Sequence, residues 1–418
     1  MSIEERRAKT LVTAAWVAPM DDEAAMLRDA GLVHAAGRIV AVGDAKSLRR
    51  AHPEAIIEDL GDVVLLPGLV NAHTHLELSD LAPYDFRPGS FVDWLLQVMR
   101  KAPESQHAVR IHRATEIGIA MSLRHGVTCV GDVSRYSETT RRLIKGASLR
   151  AVSYGEVTGM AGRREFAKPR LARAVQYAAV PGRLHLGVSP HAPYSIEAEG
   201  YRLCLAEATK RRIGLATHLA ETPDEVAFLT DHSGPLRDLW ENIGGWDERV
   251  PVFHGGPIRY ANSLGLLDYP MTSLAHVNYC DDDELAILAS GVASVVYCPR
   301  THRYFGHPPH RWREMLGAGI NVAVGTDSTA SSPDLNLVDD LRLLREIAPD
   351  VPASMIWSMA TRRAARAVGM EDEAGTLTAG KYADFVAFGA KTNDPLAAIL
   401  DERSIVPAGV WIGGQRLT

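Results

Sequence analysis

Apolar residues in this chain fall into two styles of pattern. Residues 1–66 contain TLVTAAWVAPM, GLVHAAGRIVAVG and AIIEDLGDVVLLPG, β-rich runs broken by Gly, Asp and Pro. Residues 378–418 return to that style in TAGKYADFVAFG and SIVPAGVWIGGQRLT. Each end is too short to bury a comfortable core alone. The pattern therefore predicts one small β-sandwich domain formed by both ends, 1–66 and 378–418, with a central domain over 67–377.

The centre alternates short apolar strands with helical runs. The strand candidates are LVNAHTH (69–75), GVTCVGD (126–132), RAVSYGEV (150–157), LHLGVSPH (184–191), GLATHLAE (214–221), SLAHVNY (273–279), ASVVYCP (293–299) and NVAVGTD (321–327). Between most of them lie helical runs such as HAVRIHRATEIGIAMSLRHG and AEGYRLCLAEATKRRIG. Eight such strands predict an α/β fold, a (β/α)8 TIM barrel. An open doubly wound sheet is the competitor. No GxGxxG follows the first strand, and polar residues gather at many strand ends rather than at one crevice, which argues for the barrel. The segment 222–272 is long for a connection; it is either a cover for the site or an ordinary insertion.

Composition narrows the function classes. The chain has 418 residues, with 45 Lys+Arg against 51 Asp+Glu, a formal net charge of −6. That balance gives no footprint for nucleic acid or an anionic membrane. The 46% hydrophobic and 23% charged residues are globular values and exclude a disordered chain, a collagen and a coiled coil. Cys129, Cys204, Cys280 and Cys298 form no CxxC, so neither a disulfide framework nor a Cys-rich zinc site is expected. Cys280 and Cys298 read as buried small residues. The N-terminal stretch lacks a long apolar leader core, and a reducing cytoplasm fits. A small molecule is the expected partner. Two-fold homodimers are common, but no residue singles one out.

The 16 histidines change the picture most. His73 and His75 end the first barrel strand. At i and i+2 both side chains point the same way, their Cα atoms about 6.8 Å apart. His-x-His alone is as well explained by two satisfied core histidines. However, His218 ends the fifth strand, His276 lies in the sixth and Asp327 ends the eighth. All occupy the face where a barrel keeps its active site. Three imidazoles and a carboxylate suit one divalent ion, Zn2+ or Fe2+, and such an ion makes hydroxide available near neutral pH. Glu221, three residues after His218, is placed to curl over the mouth and shuttle a proton. Asp327 can both ligate and accept the proton of water. No lysine ends the fourth strand to bridge two metals, and the Cys-rich deaminase signature is missing.

The motifs NAHTHLELS (71–79), SPHAPYS (189–195), THLAET (217–222), LAHVNY (274–279) and VAVGTDSTASSPDLNLVDDLR (322–342) resemble the metal-dependent amidohydrolase superfamily. The similarity runs through nearly the whole chain. Within it, the chain is similar to the branch of adenosine-type, guanine and cytosine deaminases and chlorotriazine hydrolases. The resemblance implies that His73, His75, His218 and Asp327 bind one metal. It also implies that Glu221 protonates a ring nitrogen, that His276 holds or polarises the attacking water, and that His191 contacts substrate. NAHTHLELS, the following Phe91-x-x-Trp94-Leu95 and the GTDS…LNLVDDLR tail are similar to aminodeoxyfutalosine deaminases of menaquinone biosynthesis. CPRTHRYFGHPPHRW (298–312) departs from the SHNPxSN of methylthioadenosine and adenosylhomocysteine deaminases.

The expectation is therefore an enzyme, a metal-dependent aminohydrolase acting on a 6-aminopurine nucleoside, with aminodeoxyfutalosine the favoured substrate. The alternatives are adenosine, methylthioadenosine, adenosylhomocysteine, guanine or an s-triazine as substrate, a cyclic-amide or amino-acid-amide hydrolase on the same scaffold, and a scaffold without activity. Glu77, Glu156, Arg135, His302 and Arg303 are polar candidates for the rest of the substrate. An arginine at 135 would suit a carboxylate. Phe91 and Trp94 would form an aromatic wall, although i, i+3 aromatics are also ordinary helix core.

Overall fold

The computed structural model describes residues 8–21, 26–83, 90–101 and 107–417. The stretch read for a leader lies partly outside them. The strands are β1 (Thr10–Val17), β2 (Leu27–Ala35), β3 (Arg38–Asp44), β4 (Ile56–Asp59), β5 (Val63–Pro67), β6 (Leu69–Thr74), β7 (Val127–Ser134) and β8 (Arg150–Val157). They continue as β9 (Leu184–Pro190), β10 (Gly214–Leu219), β11 (Thr272–His276), β12 (Ser294–Tyr297), β13 (Val322–Val324), β14 (Phe385–Gly389), β15 (Pro407–Ile412) and β16 (Gln415–Arg416).

Both chain ends form one mixed sheet in the order β16-β15-β14-β5-β1-β2-β3, with β4 paired to β1. The return of the chain is anchored by β14, antiparallel to β5 with Phe385 opposite Pro67. One face of this sheet buries Val12, Leu32, Leu65, Phe385 and Trp411. Phe385 and Trp411 stack at 4.8 Å between centroids. Leu11, Val33 and Leu48 form a second buried cluster, so β1 and β2 bury runs of consecutive residues rather than alternate ones.

The second sheet is the expected barrel, in the order β13-β12-β11-β10-β9-β8-β7-β6. Neighbouring strands pair in parallel, as in β10 with β11 and β12 with β13. The strands β6, β7 and β10 are buried along their whole length. That is why they read as nearly continuous apolar runs rather than alternating ones. A parallel bridge between Thr74 and Asp327 joins the two edge strands. The approach is tight: a Cβ on Gly325 would lie 2.7 Å from the His73 carbonyl oxygen, so only glycine fits there.

By contact density the chain divides into two compact units, residues 1–71, 120–130 and 336–418, and residues 72–119 and 131–335. Among the described residues no disulfide joins the four cysteines; Cys298 is buried as expected, whereas Cys280 is only partly so. Among the described residues no helix is long and apolar enough to cross a membrane.

Candidate metal centre and active site

Strand register carries the key side chains to one point. His73 and His75 leave β6 on the same side; His218 leaves β10 and His276 ends β11. Asp327 follows β13, its N–H bonded to the His73 carbonyl at 3.0 Å. Two groups of potential ligand atoms result, His73 with His75 and His218, and Glu221 with His276 and Asp327. Nε2 of His75 lies 3.3 Å from Nε2 of His218. Oδ1 of Asp327 lies 3.4 Å from His75 Nε2 and 3.6 Å from His73 Nε2.

A divalent cation fits this donor set. The Nε2 atoms of His73 and His276 are buried and hydrogen-bond to nothing among the described residues. Such orphans are costly unless a ligand satisfies them. The His218 Nδ1–H donates to the His191 carbonyl at 3.0 Å, which leaves Nε2 as the lone-pair atom facing the centre. Burial pushes the His75 pKa down to about 4 and that of His276 down to about 3, and holds His218 well below its ordinary value. These rings are neutral at physiological pH, the state a metal requires. Burial alone would raise Asp327, but the nearby imidazoles of His73, His276 and His75 hold it below the usual carboxylate range. Its second oxygen, Oδ2, accepts a hydrogen bond from the Ser331 hydroxyl at 3.0 Å.

Glu221 has the opposite character. Burial, then the charges of Asp327 and Glu225, raise its pKa well above the ordinary carboxylate value. Its Oε1 lies 3.5 Å from His276 Nε2. The main chain beneath it is clamped: Glu225 accepts the N–H groups of Ala220 at 3.1 Å and Glu221 at 2.7 Å. A carboxyl with a raised pKa beside a cation site is suited to donate a proton. Ala220, His276, Val277 and Asp327 all have positive φ, so backbone strain is concentrated here.

The centre opens into a cavity of about 270 Å³. Near the metal end it is lined by His75, His218, Glu221 and Asp327, with His191 and Glu156 beside them. His191 Nδ1 bonds the Ser195 hydroxyl at 2.7 Å, and its Nε2 lies 4.0 Å from Glu156. Phe91 and Trp94 form part of the wall. Their helix, Phe91–Arg100, starts at a capping box between Ser90 and Asp93. Phe91 lies 5.8 Å from Trp94 and 6.1 Å from Tyr194 between centroids. The long 222–272 segment adds Leu239 and Trp240, which cluster with Phe91 and Tyr194 in the same apolar wall, and Trp240 Nε1–H donates to the Tyr194 carbonyl at 2.7 Å.

The remaining candidates separate. Glu77 borders the cavity, but its carboxylate is engaged by the Ser134 hydroxyl and by the N–H groups of Arg135 and Tyr136. It braces the loop that carries Arg135. His302 and Arg303 do not line the cavity. They sit on the helix Pro299–Phe305, and His302 Nε2–H donates to the Pro308 carbonyl at 2.8 Å.

Sequence reading missed Arg163 and Arg170, which line the cavity together with Arg135. Arg170 bonds the Thr158 carbonyl at 2.9 Å and hydroxyl at 2.7 Å. Arg135 and Arg163 have no carboxylate partner among the described residues. The run GRREFAKPRLARA reads as a solvated charged face. Its position directly after a barrel strand was the available signal.

Comparison with known proteins agrees with this geometry. The model of the amidohydrolase family matches residues 64–417. Residues 30–55 match a bacterial imidazolonepropionase-like composite domain. A 5-methylthioadenosine/S-adenosylhomocysteine deaminase of Moorella thermoacetica is 32% identical over 84% of this chain and 78% of its own length. The aminodeoxyfutalosine deaminase of Deinococcus radiodurans is 29% identical over 81% of each chain. In fold, the chain matches the crystal structure of an adenosine deaminase from Xanthomonas campestris with bound zinc. That match has a TM-score of 0.81 and 24% identity, and covers 98% of this chain and 93% of the other. The chain belongs to the amidohydrolase family, and its barrel holds a metal-dependent hydrolase site.

Proposed function

We propose that this protein is a hydrolytic deaminase of a 6-aminopurine nucleoside whose 5′ substituent carries a carboxylate, with aminodeoxyfutalosine, converted to futalosine and ammonia, as the favoured substrate. The observation that carries the reading is the placement of a buried Glu221, its pKa raised by burial, at the metal end of the same apolar cavity that Arg135 and Arg163 line with no carboxylate partner among the described residues. His73, His75, His218 and Asp327 would hold the ion. The donor set favours Zn2+, the ion bound in the Xanthomonas structure, and Fe2+ accepts the same ligands. Bound there, the ion supplies Lewis acidity and makes water acidic near neutral pH.

The chain's own groups account for the rest. Glu221 donates its proton to N1 of the purine, which makes C6 electrophilic. His276 Nε2 orients the incoming water, and Asp327 accepts a proton from it. Water adds to C6, the C6–NH2 bond breaks with proton transfer to nitrogen, and ammonia leaves a 6-oxo purine. Phe91, Trp94 and Trp240 enclose the apolar body of the substrate, while Arg135 and Arg163 pair with its carboxylate.

S-adenosylhomocysteine also carries a carboxylate, and the Moorella relative favours it as a second reading. The test is ammonia release from metal-replete protein given aminodeoxyfutalosine, S-adenosylhomocysteine, 5-methylthioadenosine, adenosine and guanine side by side. The highest kcat/KM is expected with aminodeoxyfutalosine. No release from any aminopurine would overturn the reading, and a preference for the carboxylate-free nucleosides would remove the role of the arginines.

A further inference from the structure

The stretch 298–312 carries three histidines that do not line the cavity. His302 and His307 brace their own loop. His302 holds the Pro308 carbonyl, and His307 Nδ1 lies 2.9 Å from the Tyr279 hydroxyl. His310 is different. It is buried, and its Nε2–H donates to the main-chain carbonyl of His276 at 2.9 Å. Its ring stacks on Tyr297, the last residue of β12, with centroids 4.0 Å apart and planes within 18°. Its Nδ1 is buried with no partner among the described residues, so the proton belongs on Nε2, where the carbonyl takes it.

The carbonyl it holds belongs to a strained turn. His276 has φ +73° and Val277 φ +53°. A β-branched residue there is an outlier, and such backbone is held only at a cost in strain. The turn persists only if its surroundings over-determine it. Val277 N–H bonds the Leu219 carbonyl and Asn278 N–H the Ala220 carbonyl, each at 2.9 Å. The Asn278 side-chain amide bonds the Glu221 carbonyl at 3.0 Å. Of these bonds and that from His310, only the one from His310 ends on residue 276.

We propose that His310 is a positioning residue for His276, anchoring the carbonyl of the strained turn so that the His276 imidazole points into the metal centre. The proposal rests on the reading that His276 acts in the reaction. His310→Leu removes the donor and keeps an apolar filler; His310→Gln returns an N–H donor at similar reach. Measured against the best nucleoside of the panel, His310→Leu is expected to lower kcat about 10–100-fold. KM and metal content should stay within about twofold, and His310→Gln should recover most of the loss. In a His276→Ala background, His310→Leu should cost nothing further, because both changes act through one side chain. Equal losses in both backgrounds, or no recovery with glutamine, would overturn the role. A crystal structure of the leucine variant gives a readout without turnover. Its φ at His276 should leave the positive region, and an unchanged turn sinks the proposal even if no nucleoside proves to be a substrate. Should the leucine variant not fold, His310→Asn, too short to reach the carbonyl, takes its place. If His276→Ala itself leaves kcat unaltered, the reading of His276 fails, and the crystallographic result alone decides the anchor.

Discussion

The metal end and the wall of the cavity are built by different means. His73, His75, His218, His276 and Asp327 sit at or just beyond the ends of β6, β10, β11 and β13. Their directions are fixed by strand alternation and by ladder hydrogen bonds, which leave little freedom. Phe91, Trp94, Leu239, Trp240, Arg163 and Arg170 come instead from helices and connections outside the strands. An insertion or substitution there leaves the register of the barrel untouched. On the proposed function, reaction and substrate preference are separable in this molecule: residues at and just beyond the strand ends would set the chemistry, and the outer connections would set what reaches it.

That division can be broken first at the metal end, where the largest effects are expected. Protonation of the ligands should release the ion completely. His75 is held down to about 4 in the metal-free site, so its neutral form prevails above that pH. Acidification through about 4 charges the ring and expels the cation, while at pH 5 the ion should stay. Metal content after dialysis at stepped pH checks this; release already at pH 6 would show that the imidazoles are not buried as a group. Next in size is Glu221→Gln. It removes the transferable proton, and kcat should fall by roughly 10²–10⁴-fold with the metal retained. Since the pKa of Glu221 is raised and the transferred proton would be its own, wild-type activity should be lost as pH rises through that pKa, not as pH falls. A variant that loses its metal instead would make Glu221 a ligand.

The same division explains what could be read from sequence. All eight barrel strands were legible, because parallel strands buried on both faces are apolar runs with polar residues at one end. The metal-end cluster followed from those ends alone. His302 and Arg303 look like site residues by the same reasoning, since they follow β12. However, the chain turns there into the helix Pro299–Phe305, and helical geometry sends His302 toward Pro308. Glu77 likewise follows β6, but three donors from the next loop claim its carboxylate. Arg163 and Arg170 escaped notice for the converse reason. Their role depends on how a charged connection folds back over the mouth, and no local periodicity encodes that.

A smaller effect sharpens the comparison from the side of the wall. Arg135→Ala should raise KM for a carboxylate-bearing nucleoside by about 10–100-fold, the loss of one charge-assisted hydrogen bond worth roughly 1.5–3 kcal/mol. Its kcat, and the KM of adenosine, should hardly move. Steady-state kinetics on the two substrates decide it. A matching fall in kcat for both would mean that the wall and the metal end are not separable after all.

The smallest effect tests whether the connection 222–272 acts as a wall or only fills space. Trp240 reaches the Tyr194 carbonyl through Nε1–H at 2.7 Å, and Tyr194 packs against Phe91. Trp240→Phe keeps an aromatic ring but removes that donor, leaving a buried carbonyl without its bond. The cost is about 1 kcal/mol, or roughly 2–4 °C in Tm for a domain of this size. If Trp240 shapes only the wall, KM should rise up to about fivefold, with kcat and metal content at wild-type values. If kcat falls as much as KM rises, the shift has travelled through Tyr194 to His191 and the metal end. The rigid strands would then be coupled to the connections that surround them.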